Sequence, residues 1–166
     1  MADLTPHGIT SELITPVSWG GIDQNIVFHM FKDGRVSGLL IEHWFDHRFR
    51  NITRSGDEAT PFDLYLRHNK QTLHYQSKVT NGKPFDLAPS YMKGKGRKYD
   101  ETGMREAMAS IDGYVLTDLA NFPKLTIWTI PTWGLRQQIT QKSCKVKLQQ
   151  AADLAQLKVP ILASLK

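Results

Sequence analysis

The sequence predicts an α/β (α+β) fold in which a central mixed β-sheet is flanked by helices. Three observations carry this expectation. Pro61–Leu66 and Leu73–Val79 alternate apolar with polar residues, the period of two that sends successive side chains to opposite faces of a strand. Arg35–Arg50 instead collects Val36, Leu39, Leu40, Ile41, Trp44, Phe45 and Phe49 on one broad helical face. The predicted elements also run helix, strands, helix, strands, helix, an order that leaves helices to cover a sheet.

Met1 to Asn25 is rich in turn formers (Pro6, Gly8, Pro16, Gly20, Gly21) and reads as an irregular arm. Asp33-Gly34 precedes the Arg35–Arg50 helix, and Asn51–Thr60, with Ser55-Gly56-Asp57, reads as a loop. After the two alternating segments, Asn81-Gly82 marks a tight turn. Lys83–Tyr99, with two prolines and the run Lys93-Gly94-Lys95-Gly96-Arg97-Lys98, reads as a basic loop. Asp100 is placed to cap a helix running through Ser110, with Glu101 in its favourable first turn. Gly113 ends that helix, and Tyr114–Leu119 and Leu125–Ile130 read as strands separated by Asn121-Phe122-Pro123. Pro131–Gly134 reads as a turn. Lys142–Leu157 reads as a helix with Val146, Ala151, Leu154 and Leu157 inward, stopped by Pro160.

At 166 residues the chain is expected to form one domain over 1–166, large enough for a substantial core. That core is expected over about 35–130, leaving an N-terminal arm over 1–32 and a C-terminal hairpin and helix over 131–166 for recognition or oligomerisation. No run approaches the roughly 18 apolar residues of a membrane span, and Met1–Gly8 lacks the basic start of a secretory signal. Cys144 is the only cysteine, which excludes an internal disulfide framework and a multi-cysteine zinc site and fits a reducing, cytoplasmic setting. Lys and Arg number 21 against 16 Asp and Glu, for a net charge of +5, which favours a polyanionic partner such as nucleic acid.

If both alternating segments are strands, Phe62, Leu64 and Leu66 face one way and Asp63 the other. In the second segment Leu73, Tyr75 and Val79 face one way and His74, Gln76 and Lys78 the other. A carboxylate, an amide and an ammonium then share one surface above an apolar one, a combination suited to metal-assisted cleavage of a phosphodiester. A divalent ion neutralises the phosphate, acidifies an attacking water and stabilises the leaving oxygen; magnesium takes oxygen ligands and keeps several waters.

Asp63, preceded by Pro61-Phe62, and the triplet Gln76-Ser77-Lys78 on the next strand resemble the motif of the PD-(D/E)XK nuclease superfamily, the restriction-endonuclease-like fold. The interval from Asp63 to Gln76 is 13 residues, and Glu42 matches a glutamate that many members carry on the preceding helix. The chain departs from the main pattern at Gln76, where the family usually has Asp or Glu. The Gln-x-Lys form is similar to that of Mrr-type restriction nucleases and of a tetrameric cyanobacterial intron-encoded homing endonuclease. The resemblance covers about Arg35–Ile130 and implies a magnesium-dependent endonuclease acting on double-stranded DNA, with manganese as a substitute. It further implies a homodimer or homotetramer, since cutting both strands calls for two active sites. By this resemblance Asp63 is the main metal ligand, Gln76 offers its amide oxygen, Ser77 its carbonyl and Glu42 a second negative charge. Lys78 orients the water, stabilises the phosphate or, with its pKa lowered beside a bound cation, acts as a base, and these roles stay open.

Glu42 has rivals in Asp46, one turn on, and in Asp57 and Glu58 before the first strand. His43 and His47 are spaced i, i+4, but the glutamate of a zinc-binding H-E-x-x-H is replaced by Trp44. Candidate DNA contacts are Lys93, Lys95, Arg97 and Lys98 in the glycine-interleaved loop, with Arg48, Arg50 and Arg54 as extensions of the patch. Arg136, Gln137 and Gln138 offer base-reading chemistry, Arg to guanine and Gln to adenine. Trp128 and Trp133 are expected in the core or an interface, and Cys144 as a helix residue without a catalytic role. The sequence keeps three rivals to site-specific cleavage in restriction or homing. These are a structure-selective junction resolvase, a noncatalytic nucleic-acid-binding protein, which the glutamine at 76 favours, and a small assembly protein with a basic surface.

Overall fold

Leu64–His68 and Gln71–Thr80 fold into the antiparallel hairpin that their alternation predicts, reversing at Lys70, whose φ of 65° supplies the left-handed residue of the turn. A computed structural model describes residues 3–4, 9–13, 26, 29–30, 34–56, 60–68, 70–121 and 124–154. In chain order its elements begin with β1 (Asp3–Leu4), β2 (Ile9–Leu13), α1 (Gly34–Arg48), β3 (Ile52–Arg54), β4 (Leu64–His68), β5 (Gln71–Thr80) and β6 (Phe85–Asp86). A 3₁₀ turn (Ser90–Met92), α2 (Glu101–Ala109), β7 (Gly113–Asp118) and β8 (Lys124–Pro131) follow. Then come α3 (Thr132–Leu135), a second 3₁₀ turn (Arg136–Gln138), β9 (Lys145–Val146) and α4 (Leu148–Leu154).

Seven of the described strands form one sheet in the order β1-β2-β8-β7-β5-β4-β3. Its one parallel pair is β5 with β7, registered from Tyr75↔Gly113 to Thr80↔Asp118, and the other pairs are antiparallel. Parallel neighbours need a long crossover, and the segment holding β6 and α2 provides it. The protein is therefore an α/β fold, a mixed sheet with helices against it. No helix among the described residues is long and apolar enough to cross a membrane.

Two apolar clusters hold the layers. On one face, Ile41 and Phe45 of α1 and Phe49 just after it cover Leu64, Leu66, Tyr75, Val115, Leu125 and Ile127. On the other, Met104 and Met108 of α2 join Phe85, Leu87, Val146 and Ala151 over Tyr114, Leu116, Trp128 and Ile130. Every residue of β7 is buried, as a strand covered on both faces requires. Asp100 caps α2 as its sequence position predicts, accepting a hydrogen bond from the Gly103 amide at 2.7 Å.

Several local expectations are corrected. The stretch read as a loop from Asn51 contains β3, too short for its alternation to register, which pairs with β4 and buries Ile52 under α1. The arm before Asn25 contributes β1 and β2, and β2 pairs with the edge of β8 from Ile9↔Trp128 to Leu13↔Lys124. The segment read as a basic loop over Lys83–Tyr99 is pinned in its first half, where Phe85, Leu87, Ala88 and Met92 are buried, while Gly94–Lys98 is exposed. The helix read over Lys142–Leu157 starts only at Leu148; before it, Lys145–Val146 is extended and pairs with Phe85–Asp86. The Gln150 side chain there accepts from the Lys147 amide at 2.9 Å, half of a capping box that marks the true helix start. Thr132–Leu135, read within a turn, forms a single helical turn. Leu157, Pro160, Asp57 and Glu58 lie outside the described residues.

Phe62 is also corrected. It packs with the α2-side cluster and stacks on His74 at 4.3 Å between ring centroids, on the opposite side of the sheet from Leu64 and Leu66. Regular strand geometry begins only at Leu64, so the two-residue alternation does not extend back to Phe62.

Gly113 sits directly beside Tyr75 in the parallel register, and a Cβ there would meet the Tyr75 ring at 2.5 Å and the Ile130 carbonyl at 2.7 Å. Gly113→Ala is therefore expected to destabilise the fold by about 1–3 kcal/mol through overpacking, seen as a lowered urea midpoint with an unchanged slope. A midpoint equal to wild type would show that β5 and β7 separate freely at this point.

Candidate active site

The site is built where β4 begins. Asp63, the residue before that strand, donates its amide to the Tyr75 carbonyl at 3.1 Å, and its own carbonyl accepts from the Ser55 amide at 2.8 Å. Its side chain then takes over from the backbone ladder, with Oδ2 accepting from the Ser77 amide at 2.8 Å. Two backbone hydrogen bonds thus fix Asp63 between the end of β3 and β5, and the Ser77 amide fixes its carboxylate against β5. Gln76 and Lys78 alternate along β5 and share a face by strand geometry. Gly38, Leu39 and Glu42 of α1 come in at the same place, and Glu42, Asp63, Gln76, Ser77 and Lys78 line one cleft of about 540 Å³. All five residues expected at the metal and at the chemistry are brought together.

Arg54 of β3 steers the helix carboxylates apart. Its amide donates to Asp46 Oδ1 at 3.2 Å, which commits Asp46 to joining α1 to β3. Its guanidinium Nε lies 3.5 Å from Glu42 Oε2, and Glu42 is the one of the two that lines the cleft. Arg54 therefore serves this carboxylate rather than an outer basic patch. His43 and His47 are exposed, and among the described residues no group of three or more His, Cys, Asp or Glu could hold a metal ion.

Burial sets the charge state. It pushes the Glu42 carboxyl up to about 7, with the Asp63 charge adding to the rise and Arg54 and Lys78 opposing it. Asp63 is raised as well by burial, against the Ser77 amide, Lys78 and Arg54. Lys78 is lowered to about 8, first by burial and then by Lys93, while Asp63, Asp86 and Glu42 oppose. Two carboxylates that resist ionising together and an ammonium that releases its proton readily stand around one cavity. An added cation would relieve the carboxylates.

Sequence reasoning missed Asp86 and the placement of Lys93. Both line the cleft opposite Asp63, with Lys93 Nζ donating to the Asp86 carbonyl at 3.0 Å and standing 3.5 Å from Asp86 Oδ1. A signal for Asp86 was present: Pro61-Phe62-Asp63-Leu64 recurs as Pro84-Phe85-Asp86-Leu87, and both aspartates reach the same cavity. The turn between them is tied down by the buried Asp118, whose Oδ1 accepts from the Gly82 amide at 2.7 Å.

The expected DNA contacts disperse. Lys95, Arg97 and Lys98 are exposed beyond the cleft, with Arg97 donating to the Ser90 carbonyl at 2.8 Å and Gly94 and Gly96 at positive φ. Arg136 stands beside Arg105 and Met108 of α2, whereas Gln137 and Gln138 face Lys145 and Lys147. Trp128 is buried and Trp133 exposed, and Cys144 is buried, its thiol pushed up to about 12 by its surroundings. Comparisons of the chain with family models, curated proteins and solved structures give no match.

Because the folded pKa of Glu42 lies near 7 against an ordinary 4.5, its contribution to stability is present in acid and is lost as the pH rises through about 7. The metal-free protein should melt at lower temperature at about pH 8 than at about pH 5, with up to about 3 kcal/mol arising from this group. Glu42→Gln should flatten that decline. Parallel pH profiles for the two proteins would remove Glu42 from the buried charge cluster.

Proposed function

We propose that the chain is a magnesium-dependent endodeoxyribonuclease of the restriction-endonuclease-like kind, hydrolysing phosphodiester bonds of double-stranded DNA in the cytoplasm as a homodimer or homotetramer. The observation that supports this most directly is the convergence of Glu42, Asp63, Gln76, Ser77 and Lys78, from a helix and two strands, on one cleft. The resemblance of Asp63 and Gln76-x-Lys78 to the PD-(D/E)XK motif gives the class. The element order α1, β3, β4, β5, α2, β7, with Asp63 just before β4 and Gln76-x-Lys78 on β5, supports it.

The donor set fits a hard divalent cation. Asp63 and Glu42 give carboxylate oxygens, Gln76 an amide oxygen and Ser77 a backbone carbonyl, few enough for an ion that keeps much of its water. Magnesium, or manganese in its place, would supply charge neutralisation and an acidified water. Asp63 presents its oxygens from a position fixed by the Ser77 amide. Glu42, held near Arg54, would hold the cation as a carboxylate, so metal affinity is expected to rise with pH through about 7. Lys78, with its pKa near 8, holds or releases a proton close to working pH, which suits it to orient the nucleophilic water and steady the phosphate.

The neutral Gln76 favours a second reading, a DNA-binding protein that does not cut. Plasmid and phage DNA incubated with magnesium, manganese or EDTA separates the two. Cutting that needs the metal and falls at least about 100-fold in both Asp63→Ala and Lys78→Ala is the expected result. Two variants matter because Asp63 also braces Ser77. Binding without cutting by the wild-type protein would give the site to the noncatalytic reading. Tighter binding to four-way junctions than to duplex would make it a resolvase. Gln76→Glu should bind the metal about tenfold more tightly by adding a charged ligand, as read by calorimetry without DNA.

A further inference from the structure

The cleft does not end at Asp86. Antiparallel pairing places Lys145 of β9 directly opposite Asp86 of β6, so the two side chains share a face of this small two-stranded sheet. Beyond it opens a groove of about 310 Å³ lined by Gln137, Gln138, Thr140, Ser143, Lys145 and Lys147. Pro84 lines both the groove and the cleft, so the two cavities adjoin across one residue.

The chemistry of the groove is one-sided. Its lining carries two ammonium groups, amides and hydroxyls, and no carboxylate. The sequence behind it is equally biased: from Leu119 to Ala152 the chain has Lys124, Arg136, Lys142, Lys145 and Lys147 and no Asp or Glu. Its wall is also pre-shaped. Thr140 Oγ1 donates to the Ser143 carbonyl at 2.8 Å and accepts from the Ser143 amide at 3.1 Å, and Gln150 holds Gln138 through a bond of 3.3 Å. Long basic side chains over a fixed polar floor suit a chain of phosphates, and the groove leads away from the cavity proposed to hold the reacting one.

We infer that this groove binds the phosphodiester backbone of the DNA strand flanking the bond in the cleft, with Lys145 and Lys147 each neutralising one phosphate and Gln137, Gln138 and Ser143 donating hydrogen bonds to the strand. The inference rests on the nuclease reading for the position of the scissile bond. It adds a substrate path that the motif residues do not define.

The test measures duplex binding by fluorescence anisotropy in EDTA across a salt series, so that no cleavage is needed. Lys145→Ala/Lys147→Ala is compared with Arg67→Ala/Arg105→Ala, a double variant that loses the same charge at exposed positions away from both cavities. The groove variant should bind about tenfold more weakly, with a log–log salt slope smaller by about 2, while the control stays near wild type. Metal-dependent hydrolysis of bis(p-nitrophenyl) phosphate, too small to reach the groove, should be unchanged. Equal behaviour of the two variants, or no duplex binding by the wild-type protein, would overturn the inference. A wild-type protein that binds through the groove yet never cuts would leave the groove standing and remove the nuclease reading.

Discussion

The hydrogen bond from the Ser77 amide to Asp63 Oδ2 marks the place where β4 and β5 stop pairing through their backbones and begin pairing through a side chain. A strand that continued its ladder past Leu64 would leave no gap beside β5. Ending it one residue earlier opens the wedge that Glu42 of α1 lines together with Gln76 and Lys78. A carboxylate in this position performs two tasks, satisfying a partly buried backbone donor and presenting its remaining oxygen to the cavity.

The electrostatics follow from that wedge. Apolar packing on both faces of the sheet brings Asp63, Glu42 and Lys78 out of bulk water, and desolvation is the first cause of each displaced pKa. Opposite charges nearby recover only part of this, because Asp63 and Glu42 repel one another and Lys93 repels Lys78. Asp86 answers Lys93 beside it on the cavity wall, 3.5 Å away. The balance left is a cleft in which burial brings Glu42 to about 7 and Lys78 to about 8, so that both change protonation readily when a cation or an anion arrives.

Much of the fold was legible because its pieces carry periodic signals long enough to read. The Gln71–Thr80 strand, the Gly34–Arg48 helix and the Asp100-capped helix each matched their pattern. What escaped had no period to show. Ile52–Arg54 has three residues, Lys145–Val146 two, and both are extended only because a partner strand pairs with them. Phe62 was assigned to the wrong face because the alternation was extended back one residue too far. Asp86 went unread although its tetrapeptide duplicates the one around Asp63, since nothing local says that two copies separated by a hairpin and a turn will line one cavity.

By itself the sequence determined the class of fold, the identity of the strand pair that carries the site and the set of side chains, Asp63, Gln76 and Lys78, that alternation puts on one surface. Those properties are local, written in spacing along a strand. The tertiary structure decided which helix carboxylate joins them, by committing Asp46 to the Arg54 amide and leaving Glu42 to the cleft. It also decided that Lys93 belongs to the cavity wall and that Lys145 and Lys147 stand next to it. These are consequences of packing between residues far apart in the chain, fixed only once the sheet has brought its faces together and burial has set the cost of each charge.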